Sequence, residues 1–338
     1  MSNIYDIAKI AGVSIATVSK VINDRHDVSD ETKKRIRKIM QENNYIPNSV
    51  ARSLTTNQSG SIGIIFNYYH EEGLNNMFFQ EVLFGAEKVM GKAGYDYVYF
   101  SDQKWHDTYA YDYLGKCKNR MVDGAILLGI HKDENMSRLL ESNLPVVLID
   151  LEYSNETTSY VSSDNERGAY QALDYLYDLG HKKIGMIMGP RGIGPADIRL
   201  KGFTKALQNK NLKYNEEWII EADFEEKYAY KAMQRILSQS DRPTAIFCQA
   251  DVIAIAAIKA IRDAGLNVPD DFSIIGFDDI EVSKYITPSL TTVSQNTYQL
   301  GENAAEMLLK MIKSPKKRIS PVILPSRLVK RNSCKKYN

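Results

Sequence analysis

The sequence predicts an all-α helix-turn-helix headpiece followed by an α/β core of two parallel-sheet lobes. Three observations predict it. Residues 4–22 read as two short amphipathic helices around a glycine turn. From residue 61 onward, short aliphatic or aromatic runs alternate with helical segments, the pattern of parallel sheets covered on both faces. The length of 338 residues suits two or three compact units, since domains usually hold ~100–150 residues.

In the headpiece, Asn3 can cap the first helix with Asp6 three residues on, and the Ser14 oxygen can accept the N–H of Thr17 at the start of the second. Ile4, Ile7 and Ala8 on one helix, and Val18, Val21 and Ile22 on the other, recur at helical spacing. Gly12 falls between them, where a turn needs positive φ. Small Ala8 lets the second helix cross close to the first. This is the helix-turn-helix pattern, whose second helix enters the major groove of DNA; the competing interpretation is an ordinary helical hairpin. A third helix follows, capped by Ser29, with Asp30 and Glu31 at its positive end. Ile36, Ile39 and Met40 form its apolar stripe. Lys33, Lys34, Arg35, Arg37 and Lys38 suit either phosphate contact or a solvated face.

Pro47 ends that unit. Asn48 can cap a very short helix over residues 49–54, followed by a polar linker. A helix this short is not stable alone in water. The stretch is either a plain linker or a segment that folds on DNA, with Leu54 wedged into a minor-groove step. In the core, strands are expected at 61–66, 95–100, 124–129, 145–150, 159–164, 183–189, 245–250, 271–279 and 290–295. Helices between them include 79–93, 167–179, 196–209, 228–239 and 252–264. The series is too long for one sheet and divides near residue 160. Ligands bind such folds beyond the carboxyl ends of the strands.

A hydrophobic content of 43% and a net charge of +1 suit a soluble globular chain and argue against non-specific coating of nucleic acid. Residues 1–58 carry nine Lys/Arg against six Asp/Glu, the remainder 34 against 36. A basic head on an acidic body fits DNA contact confined to one end. No apolar run reaches the ~20 residues needed to span a membrane, and no signal pattern is present, so a cytoplasmic protein is expected. Cys117, Cys248 and Cys334 suit neither a disulfide framework nor a metal knuckle; two core residues and one tail residue are expected.

The motifs YDIAKIAGVSIATVSKVIN, YIPNSVARSL, VDGAILL, SSDNERGAY, LGHKKIG, RLKGF, IIGFDD and LPSRLVKRNS run through essentially the whole chain. Through them the sequence resembles the LacI/GalR family of bacterial transcriptional repressors. The resemblance implies a DNA-binding headpiece (1–46), a hinge helix and linker (47–60) and a core like that of periplasmic sugar-binding proteins. The core divides into an N-terminal lobe (61–160 plus about 291–322) and a C-terminal lobe (161–290 plus about 323–338). It also implies a homodimer on a palindromic DNA operator, switched by a sugar or sugar-derived effector in the interlobe cleft.

Carried over residue by residue, the resemblance gives base contacts to Ile15, Ala16 and Lys20. Lys20 can donate to guanine O6/N7, and Ile15 or Ala16 can pack on thymine methyls. Tyr5, Ser14, Thr17, Ser19, Asn23, Ser29 and Asn48 match phosphate contacts, and Ala51 and Leu54 the minor-groove wedge. Asn67, Phe78, Phe79, Asp150, Arg199, Phe224 and Asp278 match the effector cleft. Charged groups there would pair with hydroxyls and aromatic faces would stack on C–H surfaces. Phe78 and Phe79 are equally readable as core, Asp150 as a turn cap, and only one of Asp278 and Asp279 can face a ligand. Ala250 stands where several relatives place Asn, which removes one hydroxyl contact.

Two rivals are weighed. A nucleotide-dependent enzyme would need a phosphate loop; residues 189–199 are glycine-rich, but their G-x-x-G-x-G spacing is not the dinucleotide fingerprint. No metal-spaced histidine pair or G-x-S-x-G element occurs, so no cofactor, metal or catalytic residue is expected. A free sugar-binding protein would lack the headpiece. The tail after Ser326 carries no leucine heptads, so a dimer rather than a coiled-coil tetramer is expected.

Overall fold

The computed structural model describes residues 3–46, 58–66, 73–100, 112–129, 134–315 and 317–337. The chain divides into two compact units, Met1–Gly60 and Ser61–Asn338. Asn48, Ala51 and Leu54, with the short helix expected over 49–54, lie outside the described residues, as does Asn67.

The first unit is a three-helix head: α1 (Ile4–Ala11), α2 (Ile15–Ile22) and α3 (Asp30–Glu42). Local chemistry sets each end. Asn3 and Asp6 form a reciprocal capping box on α1, and Gly12 stops that helix at φ 62°. Ser14 Oγ accepts from Thr17 N (3.1 Å) and Ser29 Oγ from Thr32 N (3.3 Å). Ile7, Ala8, Ala11, Val18, Val21 and Ile36 are buried together, with Ile4, Ile22, Ile39 and Met40 packed around them. Lys33 departs from both sequence-based expectations: it is buried, and its ammonium turns in to Asp24 Oδ1 (3.1 Å). Arg37 reaches the same oxygen from the next turn (2.8 Å). Both cations hold the α2–α3 loop by pairing with its aspartate.

The second unit holds two six-stranded sheets. The first contains β1 (Ser61–Phe66), β2 (Asp96–Tyr99), β3 (Gly124–Leu128), β4 (Val146–Ile149), β5 (Thr158–Ser163) and β11 (Val322–Leu324), in spatial order β11-β5-β4-β3-β1-β2. The second contains β6 (Ile184–Met188), β7 (Ile219–Glu221), β8 (Ala245–Cys248), β9 (Ser273–Asp278), β10 (Thr291–Ser294) and β12 (Arg327–Val329), in order β12-β10-β9-β8-β6-β7. Every pairing is parallel except β10 with β12. β3, β4 and β8 are buried along their whole length, as strands covered by helices on both faces must be.

The chain passes between the sheets three times: after β5, after β10 and between β11 and β12. The crossings differ from the expected boundaries. β5 stays in the first sheet to Ser163, past residue 160. β10 pairs with β9 in the second sheet, although 291 onward was expected in the first lobe. Parallel hydrogen bonding to β9 outweighs the chain's imminent return, which begins only with α11 (Thr297–Lys313). That helix packs on β3, β4 and β5 and on α4 (Met77–Lys92). Side-chain bonds tie the crossings together: Ser163 Oγ donates to Gln295 O (3.2 Å) and Ser326 Oγ to Asp164 O (3.0 Å).

The contact between α4 and α11 is made by glycines. A Cβ on Gly301 would lie 1.8 Å from Val82 O, and one on Gly85 2.1 Å from Tyr298 O. Cys117 and Cys248 are buried; Cys334, expected in a free tail, is half-buried, and its thiol donates to Ile274 O (3.2 Å).

Candidate ligand cleft and nucleic-acid interface

Parallel strands deliver their carboxyl ends to one edge, and there the second unit has a cleft, the place where small molecules bind such folds. Six of the seven residues expected around the effector line it: Phe78, Phe79, Asp150, Arg199, Phe224 and Asp278.

Elements from both lobes supply them. Asn76 caps α4 by accepting from Phe78 N (3.0 Å) and Phe79 N (3.4 Å), which fixes both rings at the cleft mouth. Their rings meet edge to face at 5.3 Å. Phe78 also belongs to the first lobe's core, so both interpretations of it hold. Asp150 follows β4 with φ 58°. It is held by Ser162 Oγ (2.7 Å), Ser163 N (3.3 Å) and Asn165 Nδ2 (3.4 Å), all on Oδ1. Asp278 ends β9 with φ 124°, and Asp279 follows at 63°. This left-handed pair is a costly backbone for non-glycine residues. Three bonds hold the turn: Gln295 Nε2 to Asp278 Oδ1 (2.6 Å), Ile280 N to Asp251 Oδ2 (3.0 Å) and Arg331 to Asp279 Oδ1 (2.5 Å). Asp278 is therefore the one that faces the cleft, and Asp279 is spent on Arg331.

Arg199 lies in the second turn of α8 (Gly194–Asn209) and is buried. Its Nε donates to Asn165 Oδ1 (2.7 Å) and Nη1 to Gln249 O (2.6 Å), and the guanidinium lies 3.9 Å over the Phe277 ring. Asn165 thus joins Asp150 of the first lobe to Arg199 of the second. It opens α7 (Asn165–Asp178) immediately after the first crossing. Asn165, Gln249, Asp251 and Gln295 were not singled out from sequence. The only signal for them is position, at strand or helix ends beside the expected ligands. Among the described residues, Gln295 Oε1 is buried with no hydrogen-bond partner, and Gln295 lines the cleft. Ile193, Pro195, Ala250 and Val252 make the apolar wall.

The glycine-rich stretch 189–199 does not form a phosphate cradle. The amides of Gly189, Arg191 and Gly192 donate to Gln249 Oε1, Glu221 Oε1 and Asp197 Oδ2.

Burial pushes Asp278 up to about 7, opposed by the nearby Arg199 cation and the Gln295 bond. Burial, with Asp278 adding, also raises Asp251. The folded protein then holds a proton on Asp278 that the unfolded chain releases above its ordinary carboxylate range. That stabilisation is complete below the unfolded pKa of 3.8 and is lost as pH rises towards 7. The melting temperature of the ligand-free protein should therefore rise relative to that of Asp278→Asn as pH falls from 8 to 6. A gap between the two that stays constant across this range would contradict the assignment.

In the head, Tyr5, Ser14, Ile15, Ala16, Lys20 and Ser29 are exposed, and Thr17, Ser19 and Asn23 half-buried. Ser14 and Ser29 place the starts of α2 and α3, where free amides and the helix dipole favour phosphate. Asn23 Nδ2 is turned back to Ser19 O (2.9 Å). Ile15, Ala16 and Lys20 share the open face of α2. Lys20 Nζ is held by Asp27 Oδ2 at 2.6 Å.

The profile of bacterial regulatory proteins of the lacI family matches residues 3–48, and that of the periplasmic binding protein-like domain residues 173–334. The chain is 38% identical over 315 residues to the HTH-type transcriptional repressor PurR of Aliivibrio salmonicida, covering 93% of each. It resembles the lac repressor dimer bound to operator and the anti-inducer ONPF with a TM-score of 0.84 and 27% identity, over 99% of each chain. Against the transcriptional regulator CelR in complex with cellobiose the TM-score is 0.74 at 27% identity, over 98% of this chain and 100% of that one.

Proposed function

Because this chain belongs to the LacI family of DNA-binding transcriptional repressors, we propose that it binds an inverted-repeat operator as a homodimer and is released by a neutral sugar in the cleft. Its relatives are repressors rather than enzymes, and no catalytic role is assigned.

One observation carries the choice of effector: among the described residues, the cleft sets uncharged and carboxyl acceptors, Gln295 Oε1 foremost, between aromatic rings. Asp150 and Asp278 bond through Oδ1, Asp278 carries a proton below about 7 and can then donate as well as accept, and among the described residues Gln295 Oε1 is unpartnered. On the donor side, Arg199 has already committed Nε and Nη1. Several acceptors between aromatic rings suit a ligand with many hydroxyl donors and apolar C–H faces. A phosphate would meet the Asp150 carboxylate and an Asp278 that ionises near 7, a Coulombic cost that the remaining Arg199 N–H groups only partly offset. The cellobiose bound by CelR supports a sugar here.

Support for the homodimer comes from the lac repressor dimer and from exposed apolar side chains on one face of the first lobe. Leu74, Phe84 and Tyr99 lie there around a groove between α4 and the edge strand β2. The effector acts only if it binds the DNA-free arrangement better than the DNA-bound one. The Asp150–Asn165–Arg199 chain of bonds spans both lobes and offers the element whose two arrangements could differ in affinity.

The test is a thermal-shift panel of neutral mono- and disaccharides beside their phosphates, since a ligand of the folded state raises stability. A neutral sugar is expected to raise the melting temperature and to lower affinity for DNA selected from a random pool. Stabilisation by sugar phosphates alone would overturn the neutral-sugar reading. A bound sugar that tightens DNA binding would reverse the sign of the switch.

A further inference from the structure

Lys20, on the open face of α2, meets Asp27 of the loop that follows, Nζ to Oδ2 at 2.6 Å, with side chains 49% and 57% exposed. An ion pair so exposed adds little to stability, and Asp27 is absent from the headpiece core. Its effect falls on DNA. A carboxylate near the phosphate backbone is repelled unless its lone pairs meet donors. In the major groove the base donors are the amino groups of cytosine N4 and adenine N6.

We propose that Lys20 and Asp27 act as one unit reading a single G·C pair, Lys20 donating to guanine O6/N7 and Asp27 accepting from the N4 amino group of the paired cytosine. The inference rests on the major-groove placement of Lys20 given above. The geometry matches atom for atom. Guanine O6 and cytosine N4 are hydrogen-bonded to each other across the pair, at about 2.9 Å. Lys20 and Asp27 are hydrogen-bonded at a similar spacing with donor and acceptor reversed. On an A·T pair in the same orientation the ammonium meets adenine N6, a donor, and the carboxylate thymine O4, an acceptor, so both contacts are lost; on the reversed T·A pair the thymine methyl takes the place of guanine N7 against the ammonium. Asp27 also keeps the flexible lysine from swinging to a phosphate, where it would read nothing. Neither residue alone separates G·C from its neighbours as the pair does. That adds information to a recognition helix whose other open positions, Ile15 and Ala16, are apolar.

The experiment uses the full-length protein and sequences that it enriches from random duplex DNA. Each pair of the enriched half-site is changed in turn, and affinities are measured at one salt concentration for wild type, Asp27→Ala and Asp27→Asn. In the wild type, one G·C-to-A·T change should cost tenfold or more. Asp27→Ala should cut that ratio to under threefold at that pair alone, while its affinity for unrelated DNA rises several-fold through loss of a negative charge. Asp27→Asn, which keeps the loop's shape, should cut the ratio at least threefold. Wild-type discrimination in either variant, or a uniform loss across all sequences, overturns the proposal. Enrichment with no G·C requirement overturns it alone, whereas a wild type that enriches no sequence overturns the DNA reading as well.

Discussion

Arg199→Met is expected to abolish the response of DNA binding to sugar and to destabilise the second unit by about 3–5 kcal/mol, the cost of breaking a buried charge cluster by removing one partner. The guanidinium lies in the combined field of Asp278, Asp150 and Asp251, which favours its charge against burial. Its removal also strands Asn165 Oδ1 and Gln249 O, two buried acceptors, each costing about 1–3 kcal/mol when unsatisfied. Arg199→Lys should not rescue the response, because an ammonium cannot hold both bonds in the same plane. The head folds on its own core, so sugar-free DNA binding should persist below the lowered melting temperature. A normal sugar response in Arg199→Met would sink the cleft assignment.

Gly301→Ala should be nearly as damaging, far from any ligand. Its Cβ would stand 1.8 Å from Val82 O and 2.8 Å from Ala86 N, all backbone atoms. Backbone cannot rotate aside as a side chain can, so α4 and α11 must separate by more than 1 Å, a distance on the scale of van der Waals contact. The opened seam contains Val82, Ala86, Leu300 and Ala304. Overpacking typically costs about 1–3 kcal/mol, and backbone on the far side of the contact puts this site at the upper end. Urea unfolding followed by tyrosine fluorescence would show an earlier midpoint; a midpoint equal to the wild type's would contradict the close contact.

The head was legible because its information is local. Caps, the turn glycine and the apolar period lie within a few residues of one another, and Asn3, Ser14 and Gly12 act as their chemistry requires. Strands of the core were legible as short aliphatic runs for the same reason. What could not be read is whatever pairing over distance decides. The run at 290–295 announces a strand, but only bonding to β9 assigns it to the second sheet. Lys33 looks like any solvated lysine until Asp24 turns toward it. Asp278 and Asp279 are chemically identical, and two unusual φ angles with Arg331 separate their roles. Asn165 is buried between Asp150 and Arg199 and Gln295 lines the cleft, and polarity in a sequence points outward until a buried partner is known.

Both sheets are closed by the last part of the chain: β11 pairs with β5, and β12 with β10. Neither sheet is therefore complete until residues 322–329 have been made, whereas the core of the head lies within residues 4–45. Loss of residues 322–329 would leave an intact DNA-binding head joined to a core whose two sheets each lack an edge strand. Such a product would be expected to keep its hold on DNA while losing the answer to its effector, a defect of response rather than of binding.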